Sequence, residues 1–190
     1  MKKLIAFFFA GASLLIITSC SILPSPKVIE ISYFDIGFPA KQYTTDVGVQ
    51  FSPFIGGVGG ETKMVFREST NVIRFDPYNR WSASPAKLIQ CYLLLGLKNK
   101  NNKINYVMNG ELLRFDCDLN KKTANIALRI TIKPYKPKSH DKNFIYQVIY
   151  TSSVPVTEKK ASAYAKAMGK AMDEITAKIA DNLKNMESKR

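Results

Sequence analysis

Apolar and polar residues alternate with the two-residue period of β-strands in several separate stretches of the chain. Such alternation is typical of strands that bury one face. Strands are predicted at 28–34, 47–51, 106–119, 124–132 and 144–154, together with a hairpin formed by 64–66 and 72–75. Residues 76–81, with the sequence DPYNRW, are predicted to form a turn.

Two further stretches have the apolar spacing of helices. Ser84 followed by Pro85 is typical of a helix N-terminus, and the apolar residues after them predict a buried helix that ends near Gly96. A second helix is predicted after Thr157, with one apolar stripe formed by Ala161, Ala165, Met168, Met172, Ile175 and Ile179. The stripe predicts a helix docked on the sheet. The alternative is a seam for a second subunit, which would make the protein a homo-oligomer.

These elements predict an α+β fold. Its sheet would be mostly antiparallel, with about five to seven strands, and two main helices would pack against it. Residues 28–187 are long enough for one domain with a core of its own. The glycine-rich residues 56–60 are interpreted as a connecting or partner-contact loop, because they lack the Gly-Lys-Ser/Thr sequence of a phosphate-binding loop.

The amino-terminal segment has the layout of an export signal. Lys2 and Lys3 precede an apolar run from Leu4 to Ile17. As a helix this run would be about 21 Å long, whereas the hydrocarbon core of a bilayer is about 30 Å thick. The segment is therefore interpreted as a signal peptide rather than a membrane span.

The apolar run ends in Ile17-Thr18-Ser19-Cys20, which resembles the bacterial lipobox. The resemblance implies a diacylglycerol thioether on Cys20, cleavage before it, and an acyl chain on its new amino group. Residues 1–19 would then be a lipoprotein signal peptide and 20–27 a tether. Several acyl chains on one residue hold a protein on a membrane, because each buried methylene contributes about 0.8 kcal/mol. The alternatives are ordinary secretion and a retained anchor. Ser21, where an aspartate often marks inner-membrane retention, favours the outer membrane.

The sequence is strongly basic, with a net charge of +13. Residues 1–19 contain two lysines and no acidic residue, so 26 basic and 15 acidic residues remain after cleavage and the mature charge is +11. A generally solvated basic surface explains this charge. The alternative is contact with anionic lipid headgroups or with an acidic partner. An exported location argues against a nucleic-acid partner.

No arrangement of residues in the sequence predicts catalysis or a metal site. His140 is the only histidine, so a second histidine for a zinc site is lacking. Ser139 and Asp141 beside it do not make a catalytic triad, because triad members must converge in space with distinct roles. No cofactor is expected beyond the covalent acyl chains on Cys20.

Two cysteines remain in the mature chain, Cys91 and Cys117. Export permits a disulfide between them, and two buried free thiols are the alternative. Cys117 is predicted to point into the core in phase with Leu113. Asp116 and Asp118 would then take the outward side of the same strand.

Several segments occur in a characteristic order. They are Met64-Val65-Phe66-Arg67, Tyr78-Asn79-Arg80-Trp81, a helix ending in Leu94-Leu95-Gly96-Leu97, a strand beginning at Gly110, and the alanine-rich helix 161–183. In this order they resemble the ABC-type transport auxiliary lipoprotein family. The resemblance covers most of residues 28–183, and Arg67, Arg80 and Trp81 match the family pattern.

The resemblance implies a periplasmic domain anchored to the outer membrane. Such a protein would dock, without catalysis, to an MCE-domain protein of an ABC transport system that moves phospholipids or other apolar molecules between membranes. Arg67, Arg80 and Trp81 are then either partner contacts or structural residues, with Trp81 in the core and the arginines paired to internal carboxylates. Alternative functions are an envelope-assembly or secretion adaptor and direct lipid carriage in an internal cavity.

Overall fold

The computed structural model describes residues 29–57, 62–136 and 146–187. The expected signal peptide, the tether with Cys20, and His140 lie outside these residues. The strands are β1 (Ser32–Phe34), β2 (Tyr43–Thr45), β3 (Gly48–Phe51), β4 (Ile55–Gly56), β5 (Lys63–Arg67), β6 (Ile73–Trp81), β7 (Leu97–Asn99), β8 (Ile104–Asp118), β9 (Thr123–Pro134) and β10 (Tyr146–Pro155). The helices are α1 (Pro85–Gly96) and α2 (Ala161–Glu187).

Within the described residues the main sheet has eight strands, in the order β1-β6-β5-β8-β9-β10, with β3 and β4 also paired to β8. The α+β class is confirmed, and the predicted hairpin is the antiparallel β5–β6 pair. The longest pairings, β8–β9 and β9–β10, are antiparallel as predicted, but the sheet is mixed and not purely antiparallel. Strand β1 runs parallel to β6, and β3, β4 and β5 run parallel to β8. Strands β2 and β7 form a separate parallel pair.

Helix α1 begins and ends where the sequence predicts. Pro85 is its first residue, a position at which the missing N–H costs no helical hydrogen bond. A Cβ on Gly96 would press against the side chain of Thr176, so glycine lets α1 approach α2 closely. Leu94 and Leu95 are exposed. The expectation of a well-buried helix is therefore wrong for these two positions in its last turn.

Helix α2 packs against β9 and β10, which confirms the predicted docking on the sheet. The predicted stripe is buried from Ala165 to Ile179, and Ala161 packs at its edge. The buried surface is also wider than the predicted stripe, because it includes Tyr164, Ala171, Thr176, Ala180 and Leu183. The apolar side of α2 is thus covered by its own chain.

A β-bulge divides β8 into two halves of opposite phase. The pairing with β9 shifts between Leu112 and Arg114, which makes Leu113 the extra residue. Leu112 faces the core before the bulge, and Phe115 and Cys117 face it afterwards. Leu113 itself is exposed. The prediction that Leu113 points inward together with Cys117 is wrong, because simple alternation cannot continue across an inserted residue.

Residues 76–81 continue strand β6, so the predicted turn is wrong as a chain reversal. The local hydrogen bonding of a turn is nevertheless present. Asp76 Oδ1 accepts from the backbone N–H groups of Tyr78 (2.8 Å) and Asn79 (2.9 Å), and Asp76 Oδ2 accepts from Asn79 Nδ2 (2.8 Å). The pairing with β5 shifts between Lys63 and Val65, alongside this segment. The strand therefore bulges and continues to Trp81.

Candidate functional site

Within the described residues, helices cover one face of the main sheet and leave the opposite face uncovered; we call the latter the helix-free face. Directly paired residues lie on the same face, and successive residues alternate. Ile126, Leu128 and Ile130 of β9 belong to the buried face on which α2 packs. The residues between them point the other way. Strand pairing places Arg67, Arg80, Glu111, Arg114, Asp116, Asn125, Arg129, Ile149 and Ser153 on the helix-free face.

A buried carboxylate, that of Asp116, lies at the centre of this face. Its side chain is 2% exposed. It accepts hydrogen bonds from Arg67 Nε at 2.8 Å, from Arg114 Nε at 2.9 and 3.0 Å, and from Asn125 Nδ2 at 3.2 Å. Ser153 Oγ in turn donates to Asn125 Oδ1 at 2.8 Å. The result is a polar row that crosses β5, β8, β9 and β10.

The expectation that Asp116 and Asp118 face solvent is wrong, because both are buried. Strand alternation correctly predicts that both aspartates lie on the side opposite Cys117, but neighbouring groups cover them on that side. The guanidinium groups of Arg67 and Arg114 lie over Asp116. Asp118 Oδ1 accepts the backbone N–H groups of Asn120 and Lys121, which fixes the turn between β8 and β9.

The polar row borders an open cleft of about 430 Å³. Arginine, lysine, hydroxyl and amide groups line most of it, and Asp118 contributes its carboxylate. The lining residues are Arg67, Ser69, Thr70, Arg114, Asp118, Asn120 and Lys121. Polar and charged residues therefore line the cleft, with three cationic side chains and one carboxylate.

The three residues that match the family pattern are not brought together at one site. Arg67 pairs with Asp116, as the structural alternative for this residue expects. Arg80 lies on the same face, two strands away from Asp116, and no hydrogen-bond partner of its buried Nε is present among the described residues. Trp81 points to the opposite side and is 1% exposed in the core.

Cys91 and Cys117 are both free thiols in the structure. Cys117 is buried in the sheet, where burial and the charge of Asp116 raise the pKa of its thiol well above the ordinary value. Cys91 is half-buried on α1 and lies at the edge of a hollow that Phe38 and Leu95 also line. The structure thus places the two sulfurs in different surroundings and does not join them.

A second surface feature is an exposed aromatic residue on a fixed loop. Phe38 is 84% exposed. The loop before it is held by Asp35, which accepts hydrogen bonds from the Gly37 N–H and the Ser82 hydroxyl, each at 2.8 Å. Phe38, Leu88, Cys91 and Leu95 border an apolar hollow of about 280 Å³, and we call these four residues the Phe38 patch. No pattern in the sequence predicts this patch, because its residues come from a loop and a helix that only the fold brings together.

Within the described residues, no group of three or more histidine, cysteine, aspartate or glutamate side chains could hold a metal ion. In the same part of the chain, no helix has the length and apolar content needed to cross a bilayer.

The sequence matches the family described as the ABC-type transport auxiliary lipoprotein component over residues 60–180. Its fold is similar to two solved structures with a TM-score of 0.65 each. One is an uncharacterized protein with 9% identity, covering 81% of this chain and 99% of its own. The other is a DUF330 protein from Xanthomonas campestris with 12% identity, covering 84% and 99%. At such identities the likeness shows the fold alone. No curated protein matches the sequence.

Proposed function

Because the chain belongs to the ABC-type transport auxiliary lipoprotein family, we propose that it is the outer-membrane docking component of an MCE-type ABC transport system. Such a system moves phospholipids or other apolar molecules between the two membranes. The family match over residues 60–180 is the observation on which this proposal depends. The family is one of transport auxiliary components, and it is not a family of enzymes.

The lipobox at Cys20 supports the location that we propose. An acylated cysteine would anchor the chain, and residues 21–31 would be its only link to the first strand. Eleven extended residues reach about 36 Å at roughly 3.3 Å each. The folded part would therefore remain close to the periplasmic surface of the outer membrane, within reach of a partner that crosses the periplasm.

The Phe38 patch is the surface that we propose for contact with the MCE-domain protein. A few side chains, aromatic ones prominent among them, carry most of the binding energy of an interface by filling pockets on the partner. Phe38 is such a side chain, and its loop is already fixed on both sides. Asp35 holds the residues before it, and Asp173 of α2 accepts the N–H of Ala40 after it at 2.9 Å. Little ordering entropy would then be lost on binding.

Affinity purification of the full-length lipoprotein from membranes of its native host tests this function. We expect an MCE-domain protein and the transporter to be recovered with it. Recovery of envelope-assembly or secretion components without any MCE-domain protein would contradict the proposal and support the adaptor alternative.

Two matched variants test the contact surface. Phe38→Ser should reduce recovery of the MCE-domain protein. Ile149→Ser, which removes an apolar side chain that is 51% exposed on the helix-free face, should leave recovery unchanged. Equal recovery with both variants would remove the Phe38 patch from the proposal while leaving the docking function in place.

A further inference from the structure

The two arginines at Asp116 provide more positive charge than the buried carboxylate needs. One guanidinium is enough to neutralise one carboxylate, and Asn125 supplies a further hydrogen bond. Two guanidinium groups are nevertheless present, and each donates its Nε to Asp116. A charge-assisted hydrogen bond through Nε fixes the plane of a guanidinium group and leaves its outer edge available. Asp116 therefore positions both side chains at the border of the cleft.

Arg114 retains most of its hydrogen-bonding capacity. Among the described residues, its hydrogen bonds are all donated by Nε to Asp116. Its side chain is 38% exposed and lines the cleft, which leaves the two terminal nitrogens available to a ligand. Arg67 also donates Nη1 to the carbonyl of Thr70 at 2.9 Å, which leaves Nη2. A planar fork of unoccupied N–H donors matches the oxygens of a phosphate group.

The rest of the cleft complements such a ligand. Lys121 adds a third cation at its border, and the hydroxyl groups of Ser69 and Thr70 and the amide of Asn120 are also among its lining residues. The three cations and the carboxylates of Asp116 and Asp118 together carry a net charge of +1 before any ligand binds. Both carboxylates are already hydrogen-bonded by the protein, which limits their repulsion of an anion.

We propose that this cleft binds a phosphate oxyanion, with Arg114 as the main ligand and Arg67 and Lys121 as supporting cations. The phosphate can come from the headgroup of an anionic phospholipid or from a free phosphate ion, and the chemistry of recognition is the same for both. This proposal is independent of the proposed MCE partner, because binding of the oxyanion is measured on the purified protein without any partner.

Isothermal titration calorimetry on the full mature lipoprotein in neutral-detergent micelles tests the site. The probes are glycerophosphoglycerol, the soluble headgroup of phosphatidylglycerol, and inorganic phosphate, both at low ionic strength because salt screens such contacts. Tighter binding of glycerophosphoglycerol identifies the lipid headgroup as the source. Equal or tighter binding of inorganic phosphate identifies the free ion, and either result supports the oxyanion site.

Variants separate this site from a general attraction of anions to a basic protein. Arg114→Ala should weaken binding about tenfold, and Arg114→Lys should restore only part of it, because lysine lacks the planar fork. Arg129→Ala is the matched control. Arg129 lies on the same face, paired with Glu111, and is 34% exposed against 38% for Arg114. Its removal should leave binding unchanged.

Thermal unfolding of each variant checks that it is folded. If Arg114→Ala does not fold, Lys121→Ala replaces it and should weaken binding by a smaller factor. The proposal is overturned if neither probe binds at millimolar concentration, or if Arg129→Ala weakens binding as much as Arg114→Ala. If neither probe binds, cross-linking of the cleft to an acidic protein segment in native membranes would identify that segment as the ligand instead.

Discussion

The ring of Trp81 packs edge-on against the ring of Phe115, with the centroids 5.1 Å apart and the planes inclined at 69°. Trp81 ends β6, and Phe115 is the first core-facing residue after the bulge in β8. Strand β5 lies between these two strands, so the contact spans it on the side covered by the helices. Edge-to-face aromatic pairs contribute about 0.5–1.5 kcal/mol beyond the burial of their area.

Replacing Trp81 should therefore destabilise the fold. Trp81→Ala is expected to lower the free energy of unfolding by about 3–5 kcal/mol, the usual loss for a large buried aromatic side chain. Urea denaturation with a constant m-value measures the change. Tyr78→Ala, at an exposed position on the same strand, should cost less than about 1 kcal/mol. A Trp81→Ala protein of unchanged stability that loses its binding partner would instead identify Trp81 as an interface anchor.

Removal of the Asp116 carboxylate should be costly because it leaves two guanidinium groups without their common acceptor. Asp116→Ala is expected to lower the free energy of unfolding by about 2–3 kcal/mol. Asp116→Asn keeps the shape and should cost less. Glu111→Ala breaks the more exposed pair with Arg129 and should cost less than about 1 kcal/mol. Equal losses for Asp116→Ala and Glu111→Ala, measured by urea denaturation, would contradict the central role given to Asp116.

The thiols should titrate as two free groups of unequal accessibility. In the native protein we expect Cys117 to be unreactive towards a disulfide reagent, since it is buried and the pKa of its thiol is raised. Cys91 should react slowly at its half-buried position. Unfolding without reductant should expose two thiols in all, because Cys20 would carry a thioether, and Cys91→Ser should reduce the number to one. Finding none before reduction would show that a disulfide had formed.

Several features of the fold follow from local sequence patterns and others do not. The stripe on α2 and the alternation in β9 were predicted because the spacing of apolar residues within each element shows which of its sides is buried. The parallel pairing of β5 with β8 was not, since it joins Phe66 to Cys117, 51 residues later in the sequence, and the period of a strand does not show which strand it pairs with. The bulge at Leu113 was missed for a related reason: an inserted residue is defined by its partner strand.

The Asp116 site shows the same division. Arg114 and Asp116 are two residues apart on one strand, so the sequence alone places them on one face. Arg67 comes from β5 and Asn125 from β9, and only the order of the strands brings them to the same carboxylate. The sequence therefore indicates the chemistry of this site in part, and the topology completes it.

Tyr150 should ionise late. Burial raises its pKa to about 12; a hydrogen bond from Asn182 acts against this rise, and Tyr146 adds to it. The ordinary pKa of tyrosine is about 10. Because the folded-state value is higher, the contribution of Tyr150 to stability is complete below about pH 10 and is lost as the pH rises towards 12.

Ultraviolet absorbance of tyrosinate measures this titration. Burial also raises the pKa of Tyr92 and Tyr164, so several tyrosines should ionise late in the native protein. Tyr150→Phe should remove one residue from this late fraction and make the loss of stability above pH 10 less steep. In denaturant the parent and the variant should differ by one tyrosine near the ordinary value. An unchanged late fraction in Tyr150→Phe would contradict the assignment.

The anchor at Cys20 decides where all of these surfaces operate. Mass spectrometry of the mature protein from its native host should find an amino-terminal Cys20 with a diacylglycerol thioether and an N-acyl chain, and should find residues 1–19 absent. Cys20→Ser should abolish acylation, because serine has no thiol to form the thioether. Its urea denaturation should match that of the parent, because residue 20 precedes the first strand by more than ten residues. An unmodified Cys20 in the mature protein would remove the basis for outer-membrane docking while leaving the family assignment untouched.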